Sequence, residues 1–444
     1  MKKAISFLLL VTFFAITGLA QVTVVSPTNG ATVVSPVNFA AHAAATPGRT
    51  ITAMRIYVDS TSVFLGSGSQ LSTSVAMSTG GHNVTVQAWD NTGAVYKTAL
   101  SIKVNSAPLN SYQNNLVATS DWMGKVAVAP DGAILYGSSE VIPYYSNLAA
   151  IGMTRYPTSA ANAVVENWMK WYVNHLNWPD KWGLFGTIYD YNYNNGALTS
   201  HNTADSTDSY AATFLSLAWA YYSTGNAGAQ SYVKTLAFQL DAIGQVLIKT
   251  SDSDGLTWAL PDFHIKYLMD NSEVYRGLRD AALLWRNGFN DNAKADFYDA
   301  AANKMLPNLL GLYLGNGKWA PFKNGLGQLP APNLTTWYPD ATAQMWPVLQ
   351  GVLPGTDSRA IATYNSFNAA WPGWPTLSFA GQDPFPWTTI GAAASVMGDG
   401  ARANTYIKSV QSKYVTQGFP WTWYSMEAGW FMRLNAYMLG ERPL

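Results

Sequence analysis

Apolar and polar positions alternate in short segments near the start of the chain, with the period of two that β-strands require. In residues 82–90, for example, Val84, Val86 and Ala88 alternate with polar neighbours. Other runs of this kind follow, separated by segments rich in Gly, Asn, Asp and Pro. About five to seven short strands at such spacing are typical of a β-sandwich. The pattern therefore predicts a sandwich domain at residues 21–105.

Beyond residue 111 the apolar period lengthens to that of an α-helix. The segment 208–222 is apolar on nearly every face, which indicates a helix buried on all sides. Residues 290–310 instead carry charged side chains along one side, as expected for a helix with one exposed face. Roughly eleven helices alternate between these two kinds over the rest of the chain. This alternation predicts an all-α (α/α)6 toroid, six helical hairpins closed into a ring, at residues 112–444.

The N-terminus has the pattern of a secretory signal. Lys2 and Lys3 precede an apolar run at residues 4–16, and small residues follow it. We therefore expect a signal peptide at residues 1–20, with a membrane anchor as the alternative. No later segment holds about 18 uninterrupted apolar residues, so we expect no membrane span after signal removal. Residues 106–111 form the expected linker, and the mature protein is expected to be secreted or periplasmic in a bacterium.

The amino-acid composition limits the kinds of partner and reaction that the protein can have. The 26 Lys and Arg residues balance 26 Asp and Glu residues, and zero net charge argues against a nucleic-acid partner, which requires a basic face. The absence of cysteine excludes a thiolate nucleophile, a zinc–thiolate site and disulfides. The five histidines show no metal-ligand spacing, and neither a Gly-x-Ser-x-Gly motif nor a P-loop occurs. We therefore expect no metal and no cofactor.

Acidic residues recur at or near the predicted starts of the inner helices. They are Glu140, Asp205, Asp208, Asp270, Glu273, Asp340, Asp383 and Glu427. Aromatic residues lie close to them in sequence, among them Tyr144, Tyr189, Trp258, Trp337, Trp387 and Trp423. Acids at helix starts are often only caps, but carboxyl groups beside rings that stack on pyranose faces are what sugar hydrolysis requires. A carbohydrate is therefore the expected substrate.

Three motifs resemble those of the family-8 glycoside hydrolases, inverting enzymes on an (α/α)6 barrel that act on β-linked glycans. Ser139-Glu140, followed by Tyr144, resembles the family's Ser-Glu-Gly-x-x-Tyr-Gly segment. The residues from Asp205 onward resemble its Asp-rich start of an inner helix, and those around Asp340 resemble its Tyr-Asp-Ala segment. The resemblance implies that Glu140 is the general acid, that Asp340 is the base, and that Asp205 holds the water and the sugar ring. The wider class of six-hairpin glycosidases shares this fold.

The sequence thus predicts a secreted, monomeric glycoside hydrolase that cleaves a polysaccharide or oligosaccharide. Residues 21–105 resemble small bacterial Ig-like domains, which implies a sugar- or wall-binding module or else a spacer. The substrate cleft is expected to contain Asp208, Asp270, Glu273, Tyr144, Tyr189, Trp258, Trp337, Trp387, Trp423 and Glu427. Two alternatives stay open. One is a polysaccharide lyase on the same toroid, using Tyr and His, and the other is a non-catalytic glycan-binding or adhesion protein in which the acids are caps.

Overall fold

A computed structural model describes residues 20–105, 109–194 and 196–441. The chain divides into two compact units, one up to Leu109 and one from Asn110 onward. Each unit has a hydrophobic core of its own. The expected signal peptide, apart from Ala20, and residues 106–108 of the expected linker lie outside the described residues.

The described part of the first unit is a β-sandwich. Its strands are β1 (Gln21–Ser26), β2 (Thr32–Val34), β3 (Val37–Ala44), β4 (Ile51–Val58), β5 (Thr61–Ser67), β6 (Gln70–Val75), β7 (Gly80–Asp90) and β8 (Val95–Asn105). One sheet has the order β1-β3-β6 and the other β2-β8-β7-β4-β5. The pairs are antiparallel except β2 with β8. The alternation along β7 buries Val84, Val86 and Ala88 in one core with Phe39 and Met54, so the predicted sandwich is confirmed.

The second unit is mainly helical. Its α-helices are α1 (Ser111–Trp122), α2 (Pro143–Met153), α3 (Ser159–Asn174), α4 (Thr207–Tyr222), α5 (Ala227–Thr235), α6 (Ala237–Lys249), α7 (Leu268–Asn287), α8 (Asn292–Leu310), α9 (Trp346–Leu349), α10 (Ser358–Ala370), α11 (Thr388–Val396), α12 (Gly400–Lys413) and α13 (Ser425–Met438). Short strands lie in the connecting segments: β9 (Glu140–Val141), β10 (Tyr191–Asn194), β11 (Ala197–Ser200), β12 (Ile265–Tyr267), β13 (Tyr313–Gly315), β14 (Lys318–Trp319) and β15 (Phe322–Asn324). A π-helical turn, Trp337–Ala341, precedes α9.

Six helices form a closed inner ring. Along the chain, α2 contacts α4, α4 contacts α7, α7 contacts α9, α9 contacts α11, α11 contacts α13, and α13 returns to α2. Helices α3, α6, α8 and α12 pack against α2, α4, α7 and α11 respectively, and α1 packs against α13. This arrangement is an (α/α)6 toroid, so the predicted fold class is confirmed.

Burial follows the alternation of inner and outer helices. Almost every side chain of α4 is buried, including Phe214 and Leu217, because the helix has protein on all sides. The outer helix α8 instead keeps charged residues at its surface, where Asp296 and Asp299 pair with Arg286 of α7. No helix within the described residues is both long and apolar enough to cross a bilayer.

Candidate active site

A cavity of about 480 Å³ lies where the N-terminal ends of the inner helices meet. Each inner helix contributes to its lining from the first turn or from the segment just before it. The acidic residues of the lining are Asp190, Asp205, Asp270 and Asp383. Its aromatic residues are Tyr136, Tyr144, Tyr145, Tyr210, Tyr338, Trp346, Phe385, Trp387 and Tyr424. Carboxyl groups and aromatic rings thus share one concave surface.

Asp190 lies in the loop between α3 and β10, where its backbone N–H donates to the carbonyl of Thr203 at 2.9 Å. Its carboxylate accepts a hydrogen bond from the Tyr210 hydroxyl at 2.9 Å. Burial raises the pKa of Asp190 to about 7, and the hydrogen bond from Tyr210 limits the rise. The negative charges of Asp205 and Glu140 raise this pKa further. A carboxyl group that still holds its proton near neutral pH can act as a general acid.

Asp205 differs from Asp190 in its surroundings. It precedes Ser206, the N-cap residue of α4, and its side chain is exposed to the cavity. Within the described residues its carboxylate makes no hydrogen bond. The protein atoms that partly enclose it raise its pKa. The charge of Asp205 acts on Asp190, and the two carboxyl groups line the same cavity with unequal solvent access.

A hydrogen-bonded group of Asp208, Ser206 and Asp270 lies beside them. Ser206 Oγ is 2.6 Å from Asp208 Oδ1 and 2.9 Å from Asp270 Oδ2. A hydroxyl has one proton to donate, so Ser206 can donate to only one of these two carboxyl groups at a time. Asp208 also accepts a hydrogen bond from the Thr257 hydroxyl at 2.5 Å. Burial, together with the charges of Asp208 and Glu273, raises the pKa of Asp270 well above its ordinary value, and burial also raises the pKa of Asp208.

Two further acids act behind the cavity wall. Glu273 Oε1 accepts from the Tyr144 hydroxyl at 2.6 Å and from Trp346 Nε1 at 2.9 Å, and burial raises the pKa of Glu273 to about 8. Glu427 accepts from the backbone N–H of Thr388, the first residue of α11, at 2.7 Å and from its hydroxyl at 2.5 Å. Burial raises the pKa of Glu427 to about 7. Both acids hold rings and helix starts in position.

Aromatic rings with open faces stand at the edge of the cavity. Tyr338 is 53% exposed and packs on Trp387, with ring centroids 5.3 Å apart. Trp421 is 60% exposed and contacts Tyr136 and Phe385 at centroid distances of 5.7 Å and 5.9 Å. An exposed ring held by other rings offers a rigid, apolar face to a flat ligand. Such faces beside carboxyl groups suit a sugar.

The predicted site residues fall into three groups. Those that line the cavity are Asp205, Asp270, Tyr144 and Trp387. Those that support it from behind are Asp208, Glu273 and Glu427. The others stand apart from the cavity lining: Tyr189, Trp337 and Trp423 are buried, and Trp258 packs against Lys266, whose Nζ is 4.2 Å from the ring centroid. Of these rings, Trp337 packs against Trp387 of the lining, with centroids 6.1 Å apart.

Glu140 and Asp340 do not line the cavity. Glu140 lies in β9, where it pairs with Asn192 of β10, and not at the start of α2. The carboxylate of Asp340 accepts a hydrogen bond from the backbone N–H of Asn333 at 3.1 Å and closes the loop before the π-helical turn. The charge of Glu140 nevertheless acts on Asp190 of the cavity. The acid and base roles that the family-8 resemblance implied for Glu140 and Asp340 stay predictions.

Asp190 and Tyr210 are absent from the predicted site. Asp190 stands between Tyr189 and Tyr191 in the loop before an inner helix, and an acid flanked by tyrosines was the signal available in the sequence. Asp383, which had been noted without a role, lies before α11 and accepts from the backbone N–H of Phe385 at 2.8 Å. In the described parts of the chain, no group of three or more His, Asp or Glu residues is arranged to hold a metal ion.

Comparisons with known proteins agree with this architecture. The family model of the bacterial Ig domain matches residues 21–86, and no curated protein matches the chain. Similar solved structures include the GH63 mannosylglycerate hydrolase from Thermus thermophilus, with 13% identity over 72% of this chain and 98% of that chain and a TM-score of 0.50. They also include the GH76 α-mannanase from Bacteroides thetaiotaomicron, with 14% identity over 75% of this chain and 98% of that chain and a TM-score of 0.50. The structural neighbours are thus (α/α)6 glycoside hydrolases, and at these identities the similarity shows a shared fold alone.

Proposed function

We propose that the helical unit is a glycoside hydrolase. The observation that carries the proposal is the cavity lined by aromatic rings and by two carboxyl groups of unequal exposure, those of Asp190 and Asp205. Two carboxyl groups can supply the acid and the base of glycoside hydrolysis, and rings can hold the sugar. The glycosidase fold of the structural neighbours supports the same activity.

In this mechanism Asp190 protonates the glycosidic oxygen as the bond to the anomeric carbon breaks. Asp205 removes a proton from the water that attacks this carbon. The exposure of Asp205 to solvent favours this role, because a water molecule can reach its carboxylate. The Tyr210 hydroxyl orients Asp190 through their hydrogen bond. The raised pKa of Asp270 reduces the negative charge that would compete with Asp205 for the proton. One product is the leaving group, which now carries a free hydroxyl, and the other is a sugar with a new reducing end.

Three finer features of the proposal come from the sequence. Inversion of the anomeric centre, a β-linked substrate and membership of family 8 all follow from the resemblance. The solvent access of Asp205 favours inversion, because an inverting base needs room for a water between itself and the sugar. Export from a bacterial cell agrees with the N-terminal pattern and with the Ig-like domain.

A polysaccharide lyase is the less favoured alternative. Such an enzyme would need a tyrosine or histidine that acts as a base near neutral pH. Burial raises the pKa of Tyr338 to about 12 and that of Tyr144, Tyr210 and Tyr424 above the ordinary value, so these phenols stay protonated. No histidine belongs to the described lining of the cavity. Carboxyl chemistry therefore fits the site better.

A panel of α- and β-linked glycans tests the proposal. We expect new reducing ends without ultraviolet-absorbing unsaturated products, and proton NMR of the first product should show the inverted anomer. Asp190→Asn should lower kcat by roughly a hundred-fold or more, the usual contribution of a general acid. Asp262→Asn, which removes an exposed carboxylate away from the cavity, is the matched control and should keep full activity. Unsaturated products would identify a lyase, and binding without any cleavage across the panel would favour the non-catalytic alternative.

A further inference from the structure

A second, much smaller cavity lies inside the toroid. Its volume is about 10 Å³, enough for one particle the size of a water molecule and too little for phosphate or sulfate. Among the residues around it are Ser216 of α4, Arg276 of α7 and Arg433 of α13. Its walls therefore come from helices of the inner ring, far along each helix from the first turn.

Arg433 is the unusual residue of this cavity. Arg433 is only 4% exposed. Its guanidinium stacks on the indole of Trp430, with Cζ 3.5 Å from the ring centroid. Within the described residues the guanidinium makes no hydrogen bond and no ion pair. Stacking leaves the N–H edge of the group free to donate. A buried guanidinium without an acceptor costs free energy, so such groups are normally paired.

Other donors face the same space without a partner. Ser216 and Gln350 line the cavity and are 7% and 6% exposed. In the described part of the chain neither side chain makes a hydrogen bond. A hydroxyl, an amide and a guanidinium thus converge on one small volume. This set can enclose a particle that accepts hydrogen bonds from several directions.

The local charge favours a negative particle. Asp280 forms an ion pair with Arg276, whose Nε is 2.7 Å from Asp280 Oδ2. Glu273, the other acid of the lining, is mostly protonated at neutral pH because burial raises its pKa to about 8. Arg276 and Arg433 are the cationic groups of the lining, and Arg155, which pairs with Glu441 at 3.9 Å, acts on Arg433 from outside it. The cationic groups around the cavity therefore exceed the anionic ones.

We propose that this cavity binds one chloride ion, held by the guanidinium of Arg433 and by the side chains of Ser216 and Gln350. Chloride is monatomic and accepts hydrogen bonds from all sides. It also carries the negative charge that would pair with the guanidinium of Arg433. The ion joins α4, α13 and the residue that follows α9, which are three separate parts of the inner ring. Its binding therefore stabilises the closed toroid, independently of the hydrolytic activity proposed above.

Thermal unfolding of the whole protein tests the proposal. Tryptophan fluorescence reports on the toroid, because Trp89 is the only one of the 18 tryptophans before Asn110. We expect the Tm to be higher by about 2 °C or more in sodium chloride than in sodium gluconate at equal ionic strength. Arg433→Gln should abolish this chloride-specific difference. Arg359→Gln, which changes a surface residue paired with Asp357, should keep it.

A crystal of the wild-type protein soaked in bromide supplies a readout that does not depend on how well a variant folds. An anomalous peak beside Arg433 would support the proposal. Equal Tm values for the wild type in both salts, with no such peak, would show that the cavity holds a water molecule and overturn the proposal. A chloride effect that survives in Arg433→Gln would overturn it as well, because the ion would then bind elsewhere.

Discussion

Asp190 and Asp205 are identical side chains in one cavity, and their surroundings give them different chemistry. Asp190 is half-buried and accepts from Tyr210, whereas Asp205 is exposed and unpaired among the described residues. Two carboxyl groups whose environments separate their pKa values are the usual signature of an acid and a base. The proposed mechanism therefore has a direct consequence for the dependence of the rate on pH.

We predict that kcat/KM falls as pH rises above about 7, because the pKa of Asp190 is raised to about 7 and the acid must be protonated. Tyr210→Phe removes a hydrogen bond that lowers this pKa, so the alkaline limb should move to higher pH. Tyr424→Phe removes a hydroxyl of the same cavity that does not contact Asp190, and it should leave the limb in place. An alkaline limb unmoved by Tyr210→Phe would argue against Asp190 as the acid.

The raised pKa of Glu273 leads to a prediction about how the stability of the protein depends on pH. Its pKa is raised from 4.5 to about 8 in the folded protein, so the folded state binds a proton that the unfolded state has lost. The contribution of Glu273 to the free energy of unfolding should therefore be fully present below about pH 4.5 and be lost between about pH 4.5 and 8. Glu273→Gln keeps an acceptor for Tyr144 and Trp346 and should flatten this fall. Glu166→Gln, on outer helix α3, should leave the pH profile of chemical denaturation unchanged.

Single residues were the hardest part of the site to predict. The sequence indicated that acids recur near inner helix starts, and Asp205 and Asp270 do line the cavity. It did not indicate that Asp340 caps its own loop or that Asp190, from a connecting loop, reaches the cavity. Caps and catalytic acids use the same residue types at the same positions. Only the three-dimensional path of the loops separates them.

At the scale of elements, the ring closes through a contact between the backbones of α2 and α13. A Cβ atom on Gly429 would overlap the backbone of Leu148 and Ala149, and one on Gly152 would overlap the backbone of Gly429. The two glycines therefore let the first and last inner helices approach more closely than any side chain allows. This close approach joins the two ends of the helical unit.

We predict that Gly429→Ala lowers the free energy of unfolding of the toroid by roughly 1–3 kcal/mol, the usual cost of overpacking. Gly400→Ala is the matched control, because a Cβ atom at the start of α12 would meet nothing within 4 Å. That change should be neutral or stabilise the protein by up to about 1 kcal/mol. Equal stabilities of the two variants in urea would show that the α2–α13 contact adjusts without cost.

The elements themselves were predictable because their patterns are long. The segment 208–222, apolar on all faces, corresponds to α4 (Thr207–Tyr222), and residues 290–310 correspond to α8 (Asn292–Leu310). Short elements were not predictable. Helix α9 (Trp346–Leu349) is too brief for a helical period to be recognised, and the two-residue strand β9 just before α2 was not predicted.

At the scale of the whole molecule, the chain combines two units of different construction. The sandwich has a small core of its own, and all residues of the proposed active site lie in the toroid. The first helix of the toroid begins with a capping box, in which Asn110 and Gln113 exchange hydrogen bonds of 2.9 Å and 3.0 Å. The toroid thus contains the N-terminal cap of its own first helix.

We predict that a truncated chain that begins at Leu109 folds and cleaves short oligosaccharides with the kcat/KM of the full chain, because it keeps the capping box and the whole cavity. The contribution of the sandwich should appear only on insoluble glycan, where tethering raises the local substrate concentration. There the truncated chain should be slower, and residues 21–106 alone should sediment with the glycan. Full activity of the truncated chain on the insoluble glycan, with residues 21–106 left in solution, would identify the sandwich as a spacer. A truncated chain that has the helical circular dichroism of the toroid but cleaves nothing would show instead that the sandwich completes the active site.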